Sequence, residues 1–201
     1  TTIEIMPFVE SGDIILLTPQ FNKYDSPFDE YILIEFYAPL GVNKSDAYPA
    51  TSINYFNLAD YGIRVWHVDA RLAVGTERNI MQSKTFTSNP LTTDGNVYHM
   101  MSNSYKPENN NQQSRISILG EMYADYNIIQ LIRNDVTQTY RPNSYISVND
   151  LFKQGDDFSM NRFYNQFKRV KLLNNESELG WSFKIQTLDE ESAFVKLTKL
   201  A

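Results

Sequence analysis

GIRVWHVDARLAV, residues 62–74, is the stretch on which the reading of the chain turns. Taken as a strand, its side chains alternate between two faces. Ile63, Val65, His67 and Asp69 then point one way, and Arg64, Trp66 and Val68 the other. His67 is one of only two histidines in 201 residues, and Trp66 one of two tryptophans. A titratable pair therefore shares a face with two β-branched aliphatics. DEYILIEFY, residues 29–37, repeats the pattern. There Tyr31, Leu33, Glu35 and Tyr37 share one face, and Glu30, Ile32, Ile34 and Phe36 the other. Buried charge is costly unless paired, so these groups are expected to hold partners, one another among the options.

Outward from these two stretches the chain keeps reading as strands. Residues 2–8 alternate loosely, and Ser11-Gly12-Asp13 is a turn signal. DIILLT (13–18) is a short apolar run that reads as a buried strand. NIIQLIR (127–133) reads as a strand, and Asp94-Gly95 before NVYHM (96–100) as a hairpin or strand start. WSFKIQTL (181–188) sets Trp181, Phe183 and Ile185 against Ser182, Lys184 and Gln186. Residues 193–197 alternate again, and the two segments flank Asp189-Glu190-Glu191 as a terminal hairpin. Ser147 to Phe152 reads as a capped helical turn, with Ser147 or Asn149 as N-cap. Residues 39–58 form a long irregular loop of the kind that is often functional or an insertion. NSYKPENNNQQS (103–114) reads as a solvated surface loop. The fold class expected is mainly β, an antiparallel sandwich-like arrangement with long loops and few short helices. It is read as one β-rich domain over 1–201, divisible into two lobes, about 1–87 and about 88–201.

Composition narrows the function classes. Aromatics make up 13% of the chain, with thirteen tyrosines and twelve phenylalanines, which suits strands and broad half-buried surfaces. The net charge is −6 and dispersed, with no basic stripe, so nucleic acid is not an expected partner. No apolar run approaches the ~20 residues needed to span a bilayer as a helix. Cysteine is absent, which removes disulfides, Cys-based metal sites and thiol catalysis. That usage suits an extracellular or cell-surface protein exported by a Gram-positive bacterium, and many cytosolic proteins share it. No signal peptide opens the chain, and the abrupt strand-like start at Thr1 reads as that of a mature or truncated sequence.

Candidate chemistry is sparse. The chain has no H-E-x-x-H; His67 and His99 could meet only through the fold, with Asp69 or Glu35 added. Glu30 and Glu35, five positions apart, fall on opposite faces of one strand and do not act together. Glu35 with Asp69 on a neighbouring strand could form an acid–base pair. The blander expectation is that Glu35 pairs with His67 or Arg71 as a buried ion pair. There is no G-x-S-x-G elbow for a serine nucleophile. Oxygen-rich clusters at Asn22-Asp25-Asp29, Asn43-Asp46 and Gly155-Asp156-Asp157 lack EF-hand spacing; calcium is a possible ligand, with turn chemistry the simpler account. Loop tyrosines (Tyr24, Tyr48, Tyr55, Tyr61 and Tyr105) offer either a stacking platform for sugars or peptides or a cover for the core edge.

The succession DEYILIEFYAPLGVN, GIRVWHVDARL, DLFKQGDDF and GWSFKI resembles the region downstream of the zinc-binding helix in secreted metallopeptidases of the immune inhibitor A family. Glu30, Tyr31 and Glu35 match the family's E-Y-hydrophobic-L-hydrophobic-E strand. Gly62, Trp66, His67 and Asp69 match its glycine-led strand ending in W/Y-H-hydrophobic-D. Leu151, Phe152, Gly155, Phe158, Gly180 and Trp181 are similar to its C-terminal β region. The resemblance covers most of the chain in pieces. It implies that the H-E-x-x-H helix would precede Thr1, so no zinc ligand or catalytic residue is carried onto this chain. What it implies instead is a non-catalytic C-terminal portion of such a peptidase, or of a catalytically degenerate relative, whose residues from 1 to about 87 would adjoin an upstream catalytic domain of the same polypeptide. Zinc would belong to the parent protein, and a protein substrate to its cleft. His67 and Asp69 would brace the β part against the catalytic layer, and the 39–58 loop would approach the cleft. The alternative is a stand-alone extracellular binding module for carbohydrate or a cell-surface protein.

Overall fold

Strict alternation at the C-terminal end of the chain produces the clearest strands. The computed structural model describes residues 1–20, 26–47, 58–75, 85–90, 97–100, 127–140 and 146–200, with backbone only at Ala73, Gly75, Thr85, Val97, His99 and Met100. The strands are β1 (Thr2–Ile5), β2 (Ile14–Leu17), β3 (Glu30–Tyr37), β4 (Gly62–Asp69), β5 (Leu72–Gly75), β6 (Thr85–Thr87), β7 (Val97–Met100), β8 (Ile129–Ile132), β9 (Asp157–Phe158), β10 (Trp181–Leu188) and β11 (Ala193–Lys199). The two α-helices described are single turns, α1 (Phe8–Ser11) and α2 (Lys44–Ala47). The protein is mainly β, with two four-stranded antiparallel sheets in a sandwich-like arrangement. Their orders are β1-β11-β10-β9 and β2-β3-β4-β8; a third, three-stranded sheet runs β6-β5-β7.

The residues group into two compact units that interleave along the chain. The first holds 1–19, 32–66 and 131–201, and the second 20–31 and 67–130. The first unit carries the apolar core. Ile32, Ile34 and Phe36 of β3 join Ile63 and Val65 of β4, Phe183 and Ile185 of β10, and Val195 of β11 in one buried cluster. Phe152, Phe158, Phe163 and Phe183 pack there with ring centroids 5.2–6.5 Å apart. Burying one large apolar side chain is worth about 1.5–3 kcal/mol, so this cluster is the main source of the first unit's stability.

Local chemistry sets the ends of the elements. The terminal hairpin pairs Ile185 with Val195 and Phe183 with Leu197, with a bulge between Ile185 and Thr187. The helical turn after Ser147 is a 3₁₀ turn with Ser147 as its cap. Asp150 accepts the Ser147 N–H at 2.7 Å, and the Asp150 N–H returns to the Ser147 carbonyl at 3.0 Å. Gly62 opens β4 because nothing larger fits. A Cβ there would lie 2.7 Å from the Leu151 Cβ, where Ile63 and Phe152 exchange both backbone hydrogen bonds at 2.9 Å.

Four expectations are corrected. The first strand stops at Ile5, and Phe8 enters α1 instead, after Pro7. The DIILLT run is a half-buried strand: Ile15 and Leu17 are 6% and 3% exposed, but Ile14 and Leu16 are 46% and 39% exposed. Side-chain alternation along β2 turns every second aliphatic outward, whatever its polarity. The third correction concerns the partner of Glu35 and follows from the site geometry. The reading of 103–114 and half of the 39–58 loop (48–57) lie outside the described residues, and the described part of that loop is not irregular throughout but holds a 3₁₀ turn at Gly41–Asn43 followed by α2.

Candidate functional site

Strand alternation separates the two β3 glutamates that the sequence singles out. Glu30 lies on the face of Ile32, Ile34 and Phe36, and is fully buried. His67 presents Nε2 to Glu30 Oε1 at 2.7 Å, with 2% of its side chain exposed. Asp69 is also fully buried. It accepts two parallel hydrogen bonds from Arg71, Nε to Oδ1 and Nη2 to Oδ2, each 2.8 Å. Arg71 Nε also stands 3.7 Å from Glu30 Oε2, and its guanidinium lies 5.4 Å from the Phe86 ring centre. Glu30, His67, Asp69 and Arg71 thus form one chain of partners within the second unit. The fork of Arg71 is what makes the site tolerable: a guanidinium that meets a carboxylate bidentately offsets much of the desolvation of both.

Backbone bonds fix the strand ends that carry the cluster. The Ala70 N–H donates to the Asp29 carbonyl and the Asp69 N–H to the Ile128 carbonyl, both at 2.9 Å. Tyr31 is half-buried, and its phenol is pushed above the ordinary range by burial and then by Asp29.

Glu35 has a different company. Trp66 donates its indole N–H to Glu35 Oε1 at 2.7 Å, and Arg64 Nε stands 2.7 Å from the same oxygen. The Arg64 guanidinium lies 4.4 Å from the Tyr37 ring centre and 5.6 Å from that of Trp66. Tyr37 is fully buried and donates its hydroxyl to the Leu58 carbonyl at 3.0 Å. Its pKa is pushed up to about 12, first by burial and then by Asp46, with Arg64 opposing. The expected pairing of Glu35 with His67 or Arg71 is therefore corrected, as is its pairing with Asp69. Glu30, five residues away on the other face of β3, takes His67 and Arg71 instead.

Arg64 and Arg71 complete these two groupings; both lie within the stretch GIRVWHVDARL, but neither is among its family-matched residues. Their signal in the sequence is spacing: Arg64 is two residues before Trp66, and Arg71 two residues after Asp69. Gln166 gives no such signal. Fully buried, it exchanges two 2.8 Å hydrogen bonds with the Arg133 backbone, its amide standing in for a strand neighbour. Among the described candidate calcium ligands, Asp29, Asp156 and Asp157 hold protein partners, and Asn43 donates its Nδ2 to the Ala38 carbonyl at 3.1 Å. Asp29 Oδ1 accepts the Glu30 N–H and the Ser88 hydroxyl, and Asp156 Oδ2 accepts Lys153 N–H and Asn134 Nδ2. Asp157 pairs with Arg162. Asn22 and Asp25 lie outside the described residues, as does any meeting of His67 with the His99 side chain. Among the described residues, no group of three or more His, Cys, Asp or Glu is placed to hold a metal ion. No helix among them is long and apolar enough to cross a membrane. Of the loop tyrosines, Tyr61 packs edge-on to Phe36 at 6.3 Å under Lys153, and the other four lie outside the described residues. No family model, no curated protein and no solved structure matches the chain.

Proposed function

We propose that the chain is the non-catalytic, β-rich portion of an exported zinc metallopeptidase resembling the immune inhibitor A family, supporting the catalytic half and shaping access of a protein substrate. The observation that carries this reading is how the motif residues are used. Glu30, His67 and Asp69 are buried and engaged with one another and with Arg71. A general base or nucleophile needs reach to a substrate; a carboxylate and an imidazole facing each other away from solvent hold strands together instead. Zinc, in this reading, is bound by the H-E-x-x-H helix of the catalytic half, and this chain supplies rigidity beside it.

The test compares the chain alone with the polypeptide its gene encodes, on casein and with or without a chelator. The expected result is no hydrolysis by the chain and chelator-sensitive hydrolysis by the full polypeptide. Chelator-sensitive hydrolysis by the isolated chain overturns the non-catalytic assignment. A parent gene without an H-E-x-x-H overturns the peptidase assignment.

A further inference from the structure

A groove of about 780 Å³ opens in the first unit, within the size range of sites for short peptides and drug-sized ligands. Four chain segments build it: residues 6–11, 38–44, 59–61 and 190–191. Pro7, Ala38 and Tyr61, buried or half-buried, give it an apolar lining, and Met6 adds a side chain that is 51% exposed. Among the described lining residues the charges are unbalanced, with Glu10, Asp60, Glu190 and Glu191 against Lys44. Asp60 is satisfied already, because Lys153 bonds it at 2.7 Å and holds its carboxyl below the ordinary range. Glu10, Glu190 and Glu191 make no ion pair among the described residues.

Two of these carboxylates stand on a turn that is fixed in advance. Asp189 Oδ1 accepts the backbone N–H groups of Glu191 and Ser192, each at 2.9 Å, and the Asp189 N–H bonds the Ser192 carbonyl at 3.1 Å. Glu10 belongs to α1, which Gly12 closes in a left-handed conformation at φ 77°. The groove therefore couples an apolar lining to carboxylates on ordered backbone. A simple anion is repelled here, and a small polyamine leaves the apolar lining unused.

We propose that this groove binds an extended peptide segment in which a Lys or Arg neighbours apolar side chains. The apolar residues rest on Pro7, Ala38 and Tyr61, and the cation meets Glu10, Glu190 and Glu191. The proposal goes beyond the peptidase reading. A chain that binds such a peptide but belongs to no peptidase upholds it and defeats the other.

The test titrates the 201-residue chain into a labelled decapeptide carrying two arginines among leucines and valines, read by fluorescence anisotropy. Two control peptides replace the arginines by glutamate or the apolar residues by serine. Saturable binding is expected for the first, none for the glutamate peptide, and binding about tenfold weaker for the serine peptide. The double variant Glu190→Lys/Glu191→Lys is expected to weaken binding about tenfold, since each reversal removes and inverts one partly exposed attraction. Its thermal unfolding should be unchanged, because both side chains are exposed. Ala59→Trp, an exposed position on the groove wall, should block the peptide without touching charge. Failure of the first peptide to bind, equal binding of the glutamate or serine peptide, or affinity unmoved by both variants overturns the proposal.

Discussion

Glu30 and Glu35 stand on one strand, in one motif, with opposite circumstances. Glu30 is fully buried against His67 and Arg71. Glu35 holds Arg64 and the Trp66 indole, and Arg64 keeps 15% of its side chain exposed. The difference teaches what a matching motif letter is worth. The same residue type serves a fully buried ionic lock at one position and an aromatic-lined bridge, slightly exposed on its Arg64 side, at the other. In a dry site the missing partner of a charge is far more costly than the pair is stabilising. Near water the loss is softened, because solvent can replace the partner.

That contrast breaks most directly at Glu30. Glu30→Ala leaves His67 and Arg71 facing an emptied, water-poor site and should cost about 3–5 kcal/mol, read as a lower guanidinium midpoint. Against a typical total of about 5–15 kcal/mol, such a loss removes a large fraction of the stability. Glu35→Ala should cost less, about 1–3 kcal/mol, because Arg64 keeps its stacking on Tyr37 and some access to water. If the two losses are equal, the distinction between the two sites falls.

Tyr37 sharpens the comparison through pH. Its folded pKa of about 12 lies above the ordinary 10 of a tyrosine. Between those values the folded chain keeps a proton that the unfolded chain releases, so stability falls as pH rises. The contribution is complete below pH 10 and lost by about 12, on the order of 2 kcal/mol. Ultraviolet phenolate titration should show a late-ionising component that loses one tyrosine in Tyr37→Phe. A full complement of tyrosines ionising near 10 contradicts this. The smallest effect belongs to an exposed pair. Asp60→Asn removes the partner of Lys153, whose side chain is 36% exposed, and should cost less than about 1 kcal/mol. With the folded pKa of Asp60 lowered, that contribution is present above the ordinary carboxylate range and fades as pH falls through the folded value. A flat acid limb in a wild-type against Asp60→Asn comparison contradicts it.

How far these features were legible depends on what alternation can and cannot encode. In β3, β4, β10 and β11 the period of two was plain, and the mainly β, sandwich-like class followed from it. The Trp181–Ile185 and Ala193–Leu197 faces turned inward as their pattern required. β6 and β9, of three and two residues, are too short to carry a period. Alternation told that Glu30 and Glu35 face apart, but not which side chains on the next strand stand opposite either one. That depends on inter-strand register, which is set by turns and by packing such as the Gly62 contact with Leu151. Hence paired ionisable groups were expected and the partner of Glu35 was misassigned. Gln166 was illegible because its strand-like bonds to Arg133 join residues far apart in sequence.

The central claim is that the motif's ionisable residues hold one another. A double-mutant cycle over Glu30 and His67, with Glu30→Ala, His67→Ala and the pair followed by guanidinium unfolding, tests it most directly. The account predicts a coupling of at least about 1.5 kcal/mol, within the range for residues in contact. Costs that simply add, with coupling near zero, would contradict it.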